Sequence, residues 1–108
     1  MQRPRLREQL AASDRVLLIA PPDGDWVEDW LRQLKDGSMV ILGKGDSLYE
    51  TRQRLAGFEN VMVIPGHRDE IPWSDAFFTM VVDLDGASPS REIERVLAPS
   101  GRRTYSVP

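Results

Sequence analysis

The chain has 108 residues, of which 41% are hydrophobic and 29% are charged, a composition typical of one globular domain covering residues 1–108. Its formal net charge of -3 gives no electrostatic reason to expect nucleic acid or an anionic membrane as a partner. The absence of cysteine excludes disulfides and thiolate metal sites, and no apolar run reaches the length of a membrane span or a secretory core. We therefore expect a cytoplasmic protein.

Short apolar runs alternate with amphipathic segments along the chain, a pattern that predicts strands alternating with helices. A lead-in helix or arm occupies residues 1–14, with helical spacing in Arg5–Ala12. The predicted strands are Arg15–Ala20, Met39–Leu42, Asn60–Ile64, Phe77–Leu84 and Arg102–Val107. The predicted helices are Trp26–Lys35, Leu48–Ala56 and Pro89–Leu97. Because Phe77–Leu84 is apolar almost throughout, we expect it to be covered on both faces of a sheet.

Capping residues set the expected ends of these helices. Asp25 and Ser47 each precede a glutamate by three residues, which predicts a capping box at the start of the first and second helices. Ser88 with Pro89 predicts the start of the third helix. The sequence Pro99–Gly101 predicts a tight turn before the last strand.

The alternation of strands and helices favours a parallel sheet with right-handed crossovers. The connection Pro65–Ser74 is too short for a good helix, although it must carry a parallel crossover. We therefore expect it to cross the sheet irregularly. In open sheets of this kind, ligands bind beyond the carboxyl ends of the strands.

Two segments carry a family resemblance. Gly66–Val82 reads GHRDEIPWSDAFFTMVV and Glu92–Arg102 reads EIERVLAPSGR. Both segments resemble the class I S-adenosylmethionine-dependent methyltransferases, in particular those that act on small molecules. The resemblance implies an α/β fold with a doubly wound, mainly parallel, five-stranded sheet in the order 3-2-1-4-5. It also implies that the chain lacks the antiparallel hairpin that ends the family's sheet.

The resemblance further implies where a cofactor would bind. The family has a glycine-rich loop after its first strand, where the backbone approaches the methionine part of the cofactor, and this chain has Ala20–Gly24 there, with Asp23 and Gly24 at its end. The family has an acid at the end of its second strand that binds the ribose hydroxyls. Here Lys44 or Gly45 occupies that position and Asp46 follows.

The third and fourth strands complete the implied site. The family has an aspartate after its third strand that accepts the adenine amino group, whereas this chain has His67 after Gly66. Thr79 replaces the aspartate of the family's phenylalanine-aspartate pair. If cofactor binding is retained, the resemblance implies that it is carried by the residues at or next to these positions: Asp23, Gly24, Asp46, His67 and Asp83.

Each candidate residue also has an ordinary structural interpretation. Asp83 and Asp85 are either the solvated end of a strand or part of an acidic mouth that binds a divalent cation or acts as a general base. The other carboxylates of such a mouth would be Asp23, Asp25, Asp46, Asp69 and Glu70. We predict no metal site. His67 is either a general base or adenine contact, or a loop residue without a role.

Two further features leave alternatives open. Trp73 is either an aromatic wall for a bound ring or, as we favour, a structural plug. The sequence Gly43–Asp46, a lysine between glycines ahead of a helix, is weakly suggestive of phosphate binding but lacks the spacing of a phosphate loop.

These features support two functional hypotheses. The first is a methyltransferase-like domain that lacks catalysis and serves as an interaction or regulatory module, with no cofactor. The second retains S-adenosylmethionine or nucleoside binding and methyl transfer to a small molecule. No catalytic residue is assigned. We also expect a homo-oligomer, formed through the edge strand Arg102–Val107 or through helix faces, and allow a separate protein partner, without nucleic acid or membrane.

Overall fold

A computed structural model describes residues 10–20, 25–84, 86 and 90–104. Within these ranges the strands are β1 (Arg15–Ile19), β2 (Ser38–Gly43), β3 (Val61–Pro65), β4 (Phe78–Asp83) and β5 (Leu97–Thr104). The helices are α1 (Trp26–Gln33), α2 (Gly45–Arg54) and α3 (Arg91–Val96). The strands pair in parallel in the order β3-β2-β1-β4-β5, so the predicted fold class and strand order are confirmed.

Alternate residues of the central strand β1 face the two sides of the sheet, because successive side chains of a strand point in opposite directions. Val16 and Leu18 belong to the core that includes α1, whereas Leu17 and Ile19 belong to the core beneath α3. Trp30 of α1 is fully buried in the first core. The burial of both faces explains why the central strands read as apolar runs.

The connection from β3 to β4 crosses the sheet without a helix, as predicted. Arg95 of α3 fixes this segment, since its guanidinium donates hydrogen bonds of 2.7 Å to the carbonyl of Ile71 and 2.8 Å to that of Trp73. The backbone carbonyl of Arg95 also accepts a hydrogen bond from the N–H of Ala76. The crossover has no helix of its own, and hydrogen bonds to α3 hold it in position instead.

The first helix starts at Trp26 as predicted, but its predicted capping box and the predicted start of the second helix were wrong. The Asp25 side chain makes no capping hydrogen bond, and α2 begins at Gly45, two residues before Ser47. Gly45 has a φ of 66°, a left-handed conformation that lets the chain turn directly from β2 into the helix. The hydroxyl of Ser47 instead donates to the carbonyl of Lys44 at 2.9 Å.

The third helix also starts later than predicted. Ser90 is its N-cap and accepts a hydrogen bond from the N–H of Ile93, so the helix begins at Arg91. The predicted cap Ser88 with Pro89 lies outside the described residues. Most of the predicted helix Arg5–Ala12 does too, and its described part is not helical.

The predicted turn at Pro99–Gly101 is a bulge inside β5. Leu97 pairs with Phe78 and Arg102 pairs with Met80, so residues 98–101 of β5 lie opposite Thr79 alone. A bulge lets a strand accommodate proline and glycine while pairing continues on both sides. The start predicted for this strand, Arg102, was therefore too late, and residues 105–107 of the prediction lie outside the described part of the chain.

None of the helices in the described ranges is long and apolar enough to cross a membrane.

Candidate functional site

An open cavity of about 250 Å³ lies beyond the carboxyl ends of β1, β2 and β3. Ile19 and Leu42 form its apolar floor, and Lys44, Ser47 and His67 contribute polar groups to its lining. The parallel register brings these residues together, because the strands that carry or precede them all end at the same edge of the sheet. Its volume is just below the roughly 300–1,000 Å³ typical of small-molecule sites.

Ala20 forms the wall of the cavity at the end of β1. Its φ is 73°, in the left-handed region that favours glycine, and its N–H donates to the carbonyl of Leu42 at 3.0 Å. The chain thus leaves β1 with a glycine-like backbone although the residue is alanine. The predicted cofactor residues Asp23 and Gly24, which follow, lie outside the described residues.

Lys44, and not Asp46, stands at the cavity where β2 ends. Asp46 lies in the first turn of α2, is exposed, and is not among the described lining residues. The described lining residues include no carboxylate. The ribose-binding acid that the resemblance implied therefore has no counterpart in this part of the cavity.

His67 lines the cavity at the end of β3. Its Nδ1 accepts a hydrogen bond from the N–H of Asp69 at 3.2 Å, so the neutral ring carries its proton on Nε2. Nε2 lies 3.7 Å from a carboxylate oxygen of Glu70, and both side chains are largely exposed. His67 is thus placed to offer an N–H donor at the mouth.

Asp83 is completely buried, so its interpretation as the solvated end of a strand was wrong. Its Oδ2 lies 3.1 Å from Nε and 3.0 Å from Nη2 of Arg68, and 3.6 Å from Nη2 of Arg103. The hydroxyl of Ser90 donates to the backbone carbonyl of Arg68 at 2.6 Å. A buried carboxylate needs such cations because an unpaired charge away from water is costly.

The carboxylates proposed for an acidic mouth do not converge in the described part of the chain. Asp25, Asp46 and Asp69 are exposed, and Asp85 lies outside the described residues. Among the described residues, no three histidine, aspartate or glutamate side chains are grouped closely enough to hold a metal ion.

Thr79 lies at the opposite edge of the sheet from the cavity. Its hydroxyl donates to Oδ1 of Asp14 at 2.7 Å and accepts from the N–H of Arg15 at 2.8 Å. Oδ2 of Asp14 accepts from Arg102 at 2.8 Å. Thr79, which replaces the family's aspartate, therefore helps to join β1, β4 and β5. The replacement has no direct effect on the cavity.

Trp73 packs against the rings of Phe77 and Phe78, with ring centroids 5.7 and 6.0 Å away. It is not among the described residues that line the cavity at His67. Of the two interpretations of Trp73, the structural one fits this position.

Sequence analysis missed Arg68. An arginine in a loop after a strand is ordinarily a solvated residue, and nothing in its neighbourhood in the sequence indicates a buried partner 15 positions away. The only usable signal was Asp83 itself, a carboxylate directly after an apolar run, which must be either solvated or paired.

These residues fit only part of an S-adenosylmethionine molecule. The apolar floor suits the adenine ring. Asp83 pairs in register with Ile19 at the end of β1, beside the position that the family gives to the methionine part. Since Arg68 and Arg103 neutralise Asp83, the described residues leave no carboxylate there for the methionine ammonium, and none for the ribose hydroxyls.

The fold is that of the class I methyltransferases. The chain is similar to a SAM-dependent methyltransferase from Aquifex aeolicus, with a TM-score of 0.64 and 18% identity over 87% of this chain and 56% of that one. It is also similar to a putative sarcosine dimethylglycine methyltransferase from Galdieria sulphuraria, with a TM-score of 0.65 and 21% identity over 87% of this chain and 39% of that one. The chain thus spans little more than half of the first structure and less of the second. Comparisons with protein-family models and with curated proteins give no match.

Proposed function

We propose that this chain is a methyltransferase-shaped domain that does not transfer methyl groups and that serves as an interaction or regulatory module. The observation that carries the proposal is the pairing of buried Asp83 with Arg68. An enzyme of this fold needs an open, polar position beside the end of its first strand, where the reacting end of the cofactor lies. Here the carboxylate of Asp83, at the end of the strand beside β1, is already paired with the guanidinium groups of Arg68 and Arg103, which supports the loss of that position.

The test is a pair of measurements on the whole chain. Thermal unfolding is followed with and without millimolar S-adenosylmethionine, and the mixture is assayed for S-adenosylhomocysteine formed with a panel of small amines. We expect no rise in the unfolding temperature and no product above the rate without protein. A rise of several degrees together with product formation would show that the domain is an enzyme, and would support the alternative of small-molecule methyl transfer.

A second candidate function is nucleoside binding without catalysis. The cavity at Ile19, Leu42 and His67 favours it, because an apolar floor with a few polar groups is the usual form of a small-molecule site. With this function the domain binds a ligand without acting on it chemically. It can therefore have a ligand site and still serve as an interaction or regulatory module.

A module needs a surface for its partner, and we propose that a second copy of the chain pairs along β5. This strand is an edge of the sheet in the described residues. Arg102 and Arg103 turn towards Asp14 and Asp83, so the charges of this edge strand are engaged within the domain and guard it weakly against pairing. Light scattering should give the mass of a dimer; the mass of a monomer at high concentration would contradict pairing.

A further inference from the structure

We propose that the cavity binds an adenosine that carries a phosphate on its 2′ or 3′ oxygen, with Lys44 as the phosphate contact. The proposal rests on the second candidate function and names its ligand. The proposed ligand differs from S-adenosylmethionine in one respect: the charged group that the site recognises is attached to the 2′ or 3′ oxygen of the ribose.

Lys44 lies where a residue of this fold would contact the ribose. It follows Gly43, the last residue of β2, and lines the cavity. In dinucleotide-binding sheets of related topology, the residue near this position reads the ribose: an acid binds the free 2′ hydroxyl, whereas a cation accommodates a 2′ phosphate. A lysine here is the wrong charge for hydroxyls that need an acceptor and the right charge for a phosphate.

The ionisable residues that line the cavity favour an anionic group on the ligand. The described lining residues hold Lys44 and His67 as ionisable groups and no carboxylate. The nearby acids are Asp46 and Asp69, which are exposed and outside the described lining, and Glu70, whose 84% exposed side chain lies beside His67. The Nε2 proton of His67 and the ammonium of Lys44 therefore provide donors at the mouth, which suits an acceptor-rich group such as phosphate.

The residues around the carboxyl ends of the strands also restrict which ligand can bind. The apolar floor of Ile19 and Leu42 provides a surface for a flat base. Beyond it, Arg68 and Asp83 occupy the edge beside the end of β1. A ligand that extends from its 5′ carbon towards β1, as S-adenosylmethionine does, finds there only a carboxylate that is buried and already paired. A ligand whose charged group is on the other side of the ribose does not.

The test is calorimetric titration of the whole chain with five probes in the same buffer: adenosine, its 2′, 3′ and 5′ phosphates, and S-adenosylhomocysteine. We expect the 2′ or the 3′ phosphate to bind roughly tenfold or more tightly than adenosine, because a phosphate paired with an ammonium forms a charge-assisted hydrogen bond. The 5′ phosphate carries the same charge at a different position. It should gain much less.

Variants assign the contact. Lys44→Ala should remove the advantage of the phosphorylated probe and Lys44→Glu should reverse it. Lys35→Ala is the matched control, since Lys35 is the only other lysine and lies beyond α1, before β2 begins at the opposite edge of the sheet. It should leave every affinity unchanged. Far-ultraviolet circular dichroism checks that each variant is folded.

The outcomes separate the two proposals. Equal affinity for adenosine and its 2′ and 3′ phosphates, an advantage that survives Lys44→Glu, or an equal gain for the 5′ phosphate would overturn the phosphate site. No binding by any probe would also overturn it, while the non-catalytic module would stand. Tight binding of S-adenosylhomocysteine would instead contradict the module proposal.

Discussion

Arg68 directs both Nε and Nη2 at a single carboxylate oxygen of Asp83, at 3.1 and 3.0 Å. Arg68 lies in the crossover between β3 and β4, whereas Asp83 is the last residue of β4. The arginine side chain is 12% exposed and the aspartate is fully buried. The pair therefore joins the crossover to the end of β4, beside β1, and the arginine makes a buried charge tolerable.

Replacing Arg68 by methionine, which keeps an unbranched apolar stem, should lower the free energy of unfolding by about 3 kcal/mol, because it removes a partner from a buried charge. Chemical denaturation at neutral pH measures this. Arg91→Met, at an exposed arginine of α3, is the control and should change stability by less than about 0.5 kcal/mol. Equal effects of the two substitutions would mean that Asp83 does not depend on Arg68.

Asp14 should make stability depend on pH. Burial raises the pKa of Asp14, but hydrogen bonds from the backbone of Ala11, from Thr79 and from Arg102 outweigh burial and hold that pKa below its usual value. Because the pKa is lowered in the folded state, the stabilisation is fully present above the unfolded value of about 3.9 and is lost as pH falls through the folded value.

Asp14→Asn should therefore be less stable than the parent chain by about 2 kcal/mol at pH 7, with a difference that narrows below about pH 4. Urea denaturation from pH 7 to pH 3 follows the change. Asp36→Asn, at an exposed carboxylate, serves as the control and should run parallel to the parent. A constant difference across this range would show that the Asp14 carboxylate charge does not contribute.

Ala20 is strained in a way that substitution can reveal. Its left-handed φ costs an L-residue roughly 1 kcal/mol, while glycine loses up to about 1 kcal/mol through the greater freedom of the unfolded chain. Ala20→Gly should therefore stay within about 0.5 kcal/mol of the parent. Ala20→Val should cost more than about 1 kcal/mol, because a branched side chain fits this conformation worst.

The same substitutions at Ala56, which is exposed and has no positive φ, provide the comparison in thermal or chemical denaturation. There glycine should be destabilising, because it adds freedom to the unfolded chain, and valine should have a small effect. If Ala20→Gly were as costly as Ala56→Gly, the glycine-like conformation at the end of β1 would be wrong.

Arg95 should control the order of the crossover segment. Its guanidinium binds the carbonyls of Ile71 and Trp73 and the carboxylate of Asp75. Hydrogen bonds to Glu92 and Asp75 raise the pKa of the Arg95 guanidinium, so it remains charged at any pH at which the protein is folded.

Arg95→Gln should accelerate hydrogen exchange at the amides of Trp73 and Ala76 by roughly tenfold, without changing exchange in β1, because only the crossover loses its partners. Nuclear magnetic resonance or mass spectrometry measures the rates. Arg32→Gln removes an exposed pair with Asp29 and should change neither set. Uniform acceleration throughout the sheet would mean that Arg95 stabilises the whole domain.

The sheet was predictable because each strand has a local signal. The apolar runs at Leu17 and Val81 identify buried strands wherever they occur in the fold, and the alternation with helices limits the topology. The resemblance then supplied the strand order. The starts of α2 and α3 were less predictable, because their N-caps are Lys44 and Ser90, whereas the nearby Ser47 and Ser88 look equally suitable as caps or more so.

The site was less predictable than the fold because its decisive contacts join residues far apart in sequence. Asp83 was identified as a candidate, but its partner Arg68 was not, and Asp14 gains Arg102 from 88 positions away. His67 was placed at the correct end of the sheet because it lies two residues after the end of β3. The sequence alone could not favour Lys44 over Asp46 as the residue at the cavity. That choice requires knowing that Asp46 lies in the first turn of α2 and is not among the described lining residues.

The most direct test of the central claim, that the pairing of Asp83 leaves no place for the methyl-donor cofactor, is calorimetric titration of the chain with S-adenosylhomocysteine. That ligand carries the amino acid end that Arg68 and Asp83 would have to admit. We predict no saturable heat at millimolar ligand. A dissociation constant in the micromolar range would contradict the account, and would show that the edge beside β1 opens to accept the cofactor.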